Sequence, residues 1–217
     1  MKKGLIFILI IVILIIAGIF IYRGLTKKEV LKKEEIMPKN LKGKKVAMII
    51  AFRDFRDAEY FIPKEILERA GAEITTVSNK KGTAIGADGG DTEVNLLLED
   101  LNPADFDGVV FIGGPGCLEA LDNENSYRIT REAVSQNKVL ASICISPVIL
   151  AKAGVLEGEK ATVWSSPLDR SPVKILKENG AIYQDEAVVV DGKIITANGP
   201  DAAEEFGQAI VEVLTKE

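Results

Sequence analysis

From residue 45 onward this chain alternates short β-branched runs with longer amphipathic stretches, and that alternation limits its fold more than any other feature. Residues 45–52 (KVAMIIAF) are an unbroken apolar run of strand length, as expected for a strand buried on both faces. Residues 58–70 (AEYFIPKEILERA) have helical apolar spacing and close on Gly71, a C-terminal cap. Pro63 falls inside that stretch, so a kink or an irregular first turn is expected there. Further strands are expected over 73–78, over 109–112 ending in Gly113-Gly114-Pro115-Gly116, and over 139–144. Helices are expected over 126–136, over 146–153 before Gly154, and over 172–179 before Gly180. A short strand is read at 161–164. Two more, 188–190 and 193–196, flank Asp191-Gly192, a strong two-residue hairpin signal, and a last helix spans 201–214 behind Pro200. Strands joined through helices imply right-handed crossovers and a mostly parallel sheet covered on both faces, an α/β domain. No internal repeat is present.

In such sheets ligands bind in the crevice outside the carboxyl ends of the strands. Three segments converge on that edge: the loop from Arg53 to Glu59, the glycine loop from Gly113 to Gly116, and the turn at Cys144. The stretch Ala141-Ser142-Ile143-Cys144-Ile145-Ser146-Pro147 fits a nucleophile elbow. That turn bends a strand directly into a helix and needs small residues two before and two after the nucleophile, here Ser142 and Ser146. Pro147 suits a first helical turn, and the amino end of the following helix favours thiolate over thiol. On spacing alone, a buried structural cysteine closing a strand fits Cys144 equally well. Cys117 is a candidate resolving thiol for an oxidised Cys144, set against a plainer reading as filler at a helix start.

Together these stretches resemble the DJ-1/PfpI superfamily. ASICISPVILAKAGVLEGEKATVW follows its cysteine motif, DFRDAEYFIP its first loop, FDGVVFIGGPG its glycine loop, and VVVDGKIITANGPDAAEEFGQAI its terminal hairpin and helix. The resemblance runs in register over roughly residues 45–214 and implies a flavodoxin-like three-layer sandwich, assembled as a homo-oligomer. It gives Cys144 the role of reactive cysteine and Glu59 that of the carboxyl hydrogen-bonded to its sulfur. The backbone N–H groups of Gly114 and Ile145 would form the anion-binding pocket, walled by Gly113, Pro115 and Trp164. Read without the resemblance, Glu59 is a solvated charge near a helix start. The departures are specific. Members that pair the cysteine with a histidine place it either directly after the cysteine, where this chain has Ile145, or in the loop after the next strand, where it has Trp164. The chain contains no histidine at all, so activation of Cys144 by an imidazole base is unavailable, even across identical subunits.

The amino-terminal segment is different in kind. Behind the basic residues 1–3, residues 4–22 carry no charge, close to the length needed to span a bilayer. No small-residue cleavage site closes the run, so it reads as an uncleaved single-pass anchor rather than a signal peptide. Residues 23–43 form a Lys/Glu-rich linker and 44–217 the globular domain. The cations after the apolar run outnumber those before it, which tilts the expected orientation toward a cytoplasmic domain. Residues 1–45 carry a balance of +8, with 11 Lys/Arg and 3 Asp/Glu, while the whole chain stands at −5, leaving an acidic body at −13. That body would repel nucleic-acid phosphates, and the basic stretch fits either anionic headgroups or a solvated linker. Two cysteines without histidine provide neither a disulfide framework nor a zinc ligand set, and no metal or cofactor is expected.

Three functions are compatible with these residues. The first is a cysteine-dependent enzyme of the glyoxalase or deglycase kind, a hydrolase or lyase acting on small reactive carbonyls or their adducts. The second is a non-turnover redox sensor or stress-protection protein. The third, a cysteine peptidase such as the family also contains, is disfavoured by the missing histidine.

Overall fold

The computed structural model describes residues 40–216. The expected anchor at 4–22, and most of the linker behind it, lie outside the described residues. Among the described residues no helix is long and apolar enough to cross a membrane.

The central strand β1 (Lys45–Ile50) is fully buried from Val46 to Ile50, as its apolar run requires. It is followed by the three-residue β2 (Arg53–Phe55) and by α1 (Asp57–Arg69). That helix runs through Pro63, which has no N–H to give the Glu59 carbonyl four residues back. In place of the expected kink or irregular first turn, Pro63 leaves one hydrogen bond unmade inside a continuous helix.

After β3 (Glu73–Ser78) come β4 (Gly82–Gly86), β5 (Asp91–Val94) and β6 (Leu96–Leu97), in a stretch that sequence periodicity leaves unassigned. β2, β4 and β5 form a small second sheet. Its strands are half exposed, so no continuous apolar run marks them. The Asp57 carboxylate fastens their turn to the start of α1 by accepting from the N–H groups of Asp88 and Gly90 at 2.8 and 2.6 Å.

The chain then re-enters the main sheet as β7 (Gly108–Phe111), followed by the short α2 (Cys117–Leu121), α3 (Glu124–Ser135) and β8 (Val139–Ile143). Asn123 caps α3 through its side chain, starting the helix two residues earlier than expected. Next come α4 (Pro147–Lys152), β9 (Lys160–Ala161), α5 (Ser171–Glu178) and β10 (Ile182–Tyr183), with β9 and β10 paired apart from the main sheet. β11 (Val188–Asp191) and β12 (Ile194–Ala197) form the expected hairpin. Its turn falls one residue later than the sequence signal, on Gly192 and Lys193, because Asp191 pairs with Ile194. α6 (Ala203–Thr215) ends the fold.

The main sheet has the order β11-β12-β8-β7-β1-β3-β6 and is parallel except for β11. On one face Ala47, Ile49, Val109, Phe111 and Leu140 cluster with Ile129 and Ala133 of α3, residues 148–151 of α4, and Val173 and Leu176 of α5. α1 and α6 pack together, and α6 also touches β8 and β12, so helices cover the second face. This is the α/β, flavodoxin-like three-layer arrangement expected. The chain builds outward from β1 through β3 to β6, then returns to the other side of β1 at β7. The strand order therefore reverses between β1 and β7, which is where an open α/β sheet forms its crevice.

Candidate active site

The loops leaving β1, β7 and β8 meet at that crevice. Cys144, the first residue after β8, has φ of 65°. This left-handed conformation costs a side-chain-bearing residue energy that its surroundings must offset. Two backbone hydrogen bonds hold it: the Cys144 N–H donates to Ala197 O at 2.8 Å, and the Trp164 N–H donates to Cys144 O at 2.8 Å. Ser142 and Ser146, the small residues flanking the elbow, are fully buried with their hydroxyls 2.8 Å apart. Ser146 Oγ accepts from the Ile143 N–H at 3.1 Å and lies 2.9 Å from Phe111 O and 2.7 Å from Ile143 O. Residues chosen for smallness thus also tie the elbow to its neighbouring strand.

Glu59, in the first turn of α1, has no exposed surface. Its Oε2 accepts the Gly113 N–H at 3.1 Å, and its buried Oε1 has no hydrogen-bond partner in acceptable geometry. The carboxyl nevertheless couples to the Cys144 thiol. Burial above all pushes Glu59 up to about 7, while the hydrogen bond to Cys144 and the charge of Arg56 pull it back. The thiol itself is pushed up to about 12, first by burial and then by the charge and hydrogen bond of Glu59. The Gly114 and Ile145 amides oppose that rise by hydrogen-bonding the sulfur. The Ile145 amide at the helix start thus acts in the expected direction, toward the thiolate, and is outweighed. α4 has only six residues, and burial beside a carboxylate outweighs it. Near neutral pH the thiol keeps its proton, while the carboxyl beside it is part protonated and part ionised.

The glycine loop lies against these groups because it lacks side chains. A Cβ on Gly113 would stand 2.6 Å from Cys144 Cβ and 2.8 Å from Glu59 Oε2. Gly114, at φ of 112°, would place one 2.4 Å from the Arg56 backbone nitrogen. Above the sulfur opens a cavity of about 310 Å³ lined by Arg56, Gly114, Pro115, Leu118, Cys144, Ile145 and Trp164. The expected residues Cys144, Gly114, Ile145, Pro115 and Trp164 therefore share one wall. Glu59 and Gly113 lie behind it, with the Gly113 N–H already committed to the carboxylate.

Cys117 is not on that wall. It is fully buried in the main core cluster, and burial pushes its thiol well above the usual range, which is the position of a packing residue.

Arg56 and Leu118 were not anticipated. Arg56 is in the loop before α1, where its N–H donates to Gly113 O at 3.1 Å. One guanidinium nitrogen bonds both oxygens of Asp88, at 3.0 and 3.1 Å. The signal was an arginine in a loop already assigned to the crevice. Its partner lay in the unassigned stretch after β3, which hid the pairing.

Comparison with known proteins adds an independent line. Residues 44–213 match the model of the DJ-1/PfpI family. An uncharacterized protein of Methanocaldococcus jannaschii is 42% identical over 178 residues, covering 82% of this chain and 85% of its own length. A deglycase of Pyrococcus horikoshii is 33% identical over 153 residues, covering 70% of this chain and 89% of its own. Among solved structures, a ThiJ/PfpI domain protein from Brachyspira murdochii superimposes with a TM-score of 0.76 at 34% identity, over 81% of this chain and 99% of that one.

Proposed function

The chain belongs to the DJ-1/PfpI family, and from that premise we propose that it is a cysteine-dependent enzyme of small reactive carbonyls or their adducts. One observation carries the reading. Cys144 stands at φ of 65° on the wall of a cavity, beside a buried carboxyl with one unpartnered oxygen. The name deglycase borne by the Pyrococcus horikoshii relative points the same way.

For a 2-oxoaldehyde such as methylglyoxal the steps balance without an external oxidant. Sγ bonds to the aldehyde carbon, its proton passes to Glu59, and the π electrons move to oxygen. The Gly114 and Ile145 amides hold that developing oxyanion. Glu59 returns that proton to the oxyanion, giving the neutral hemithioacetal, and the freed carboxylate takes the proton from the former aldehyde carbon to leave an enediolate. Glu59 delivers this proton to the former ketone carbon while the hydroxyl proton passes to the neighbouring oxygen, so the first carbon is oxidised and the second reduced. Water cleaves the resulting thioester to a 2-hydroxy acid and regenerates the thiol. Glu59 thus replaces the absent histidine as the proton acceptor. Lactate formed from methylglyoxal by the wild type, and abolished by Cys144→Ser, is the expected result. An equal rate in the variant would refute the reading.

A second reading, non-turnover redox sensing, draws on the same unpartnered oxygen, since protonated Glu59 can donate to a Cys144 sulfinate. It expects low peroxide to add two oxygens at Cys144, seen by intact mass, with no carbonyl turnover. Peptidase action lacks an imidazole base and ranks last; casein cleavage dependent on Cys144 would revive it. Residues 4–22 would hold the domain at a membrane surface, and self-association into a homo-oligomer completes the proposed organisation.

A further inference from the structure

The proposed carbonyl chemistry gives Arg56 no contact with the substrate, although Arg56 lines the same cavity as Cys144. The remaining wall consists of backbone, Pro115 and the apolar side chains of Leu118, Ile145 and Trp164, with the Cys144 thiol. Among the described residues, Arg56 is therefore the only fixed positive charge lining the cavity. With a neutral substrate the guanidinium acts only through its charge, which favours the ionised Glu59 carboxylate, and its donor groups find no partner on the substrate.

The guanidinium is also aimed. Asp57 holds the turn carrying Asp88 through the Asp88 and Gly90 N–H groups, and Asp88 in turn grips one nitrogen of Arg56. The other nitrogens of that guanidinium make no hydrogen bond among the described residues and remain available as a donor fork. Asp88 offsets that charge only in part: at Glu59 the pull of Arg56 is larger than the opposing push of Asp88. Its side chain is 55% exposed, against 32% for Arg56, so solvent screens the carboxylate more than the guanidinium. The other charged neighbour, Glu59, is buried behind the wall and engaged with Gly113 and Cys144.

Resting on the carbonyl reading of the same site, we propose that Arg56 is a specificity-determining residue selecting reactive carbonyls that carry an anionic group, a carboxylate a few bonds from the aldehyde. With the carboxylate on the Arg56 fork, the aldehyde carbon reaches Sγ and its oxygen reaches the Gly114 and Ile145 amides. A cavity of about 310 Å³ accommodates a substrate of this size.

The test uses the full chain and two matched 2-oxoaldehydes, 4,5-dioxopentanoate and its uncharged counterpart 2-oxopentanal, with wild type, Arg56→Gln and Arg56→Lys. The wild type should favour the anionic aldehyde in kcat/KM. Arg56→Gln should lower that preference at least tenfold, and Arg56→Lys, which keeps charge but loses the fork, should fall between. A second measurement needs no turnover: the ratio of Cys144 alkylation rates by iodoacetate and iodoacetamide. Any change in thiol ionisation affects both reagents equally, so the ratio isolates recognition of the carboxylate, and Arg56→Gln should lower it in parallel. If both aldehydes turn over and neither ratio responds to Arg56, the anion proposal is overturned while the enzyme reading stands. If neither aldehyde turns over but the alkylation ratio falls, the anion site stands and the enzyme reading fails. If there is neither turnover nor a response in the ratio, both are overturned.

Discussion

The residue pair at the centre of this site is unusual for the proposed nucleophile, because burial pushes the thiol up to about 12 while the carboxyl next to it is raised to about 7. A sulfur of this kind reacts as its proton leaves, so Glu59 must be ionised to accept it. The arrangement also has a stability signature. Glu59 is raised in the folded state from 4.5 to about 7, so its contribution to stability is full below 4.5 and is lost as pH rises through 7. The loss amounts to about 3 kcal/mol at one pKa unit per 1.4 kcal/mol. Glu59→Gln removes that titration. The difference in urea-unfolding free energy between wild type and variant should therefore shift against the wild type between pH 4.5 and 7. A difference flat across that window would mean that Glu59 is not buried as described. Cys144, Glu59 and the glycine loop were legible in the sequence because steric spacing and a family motif name them. The height of the thiol's titration was not, because it depends on burial that no local pattern encodes.

At the scale of elements, the apolar strands were readable from their runs, and the helices on either side from their caps. The β4–β5 hairpin was not, because its half-exposed strands carry Gly, Asp and Thr where a periodic signal would need apolar residues. It bears directly on function, since its turn carries Asp88 and so orients Arg56. The packing of α1 on α6 was equally hidden. Pro63 and Gly207 meet there, and a Cβ on Gly207 would stand 3.0 Å from Pro63 Cα and 2.9 Å from Ile66 Cδ1. Backbone cannot yield as a side-chain tip can, so Gly207→Ala should cost about 1–3 kcal/mol by overpacking. A lowered urea midpoint at unchanged slope is the expected observation; an unchanged midpoint would show that the two helices can separate freely.

Across the whole molecule, the charge divides into +8 in the first 45 residues and −13 beyond them. The acidic body contains the crevice, and under the proposed anchoring the apolar and basic start would meet a bilayer and its headgroups. Carbonate extraction of membranes from expressing cells should leave the full chain in the pellet and release a chain beginning at residue 40. Full-length protein in the supernatant would contradict the anchor. The account as a whole depends on Glu59 taking the proton that Cys144 gives up. Its most direct test is the pH profile of methylglyoxal conversion to lactate by wild type and Glu59→Gln. In the wild type, kcat/KM should rise as pH passes about 7, where the carboxylate forms, and Glu59→Gln should lose at least a hundredfold together with that rise. A variant that keeps both the rate and the inflection would contradict the account.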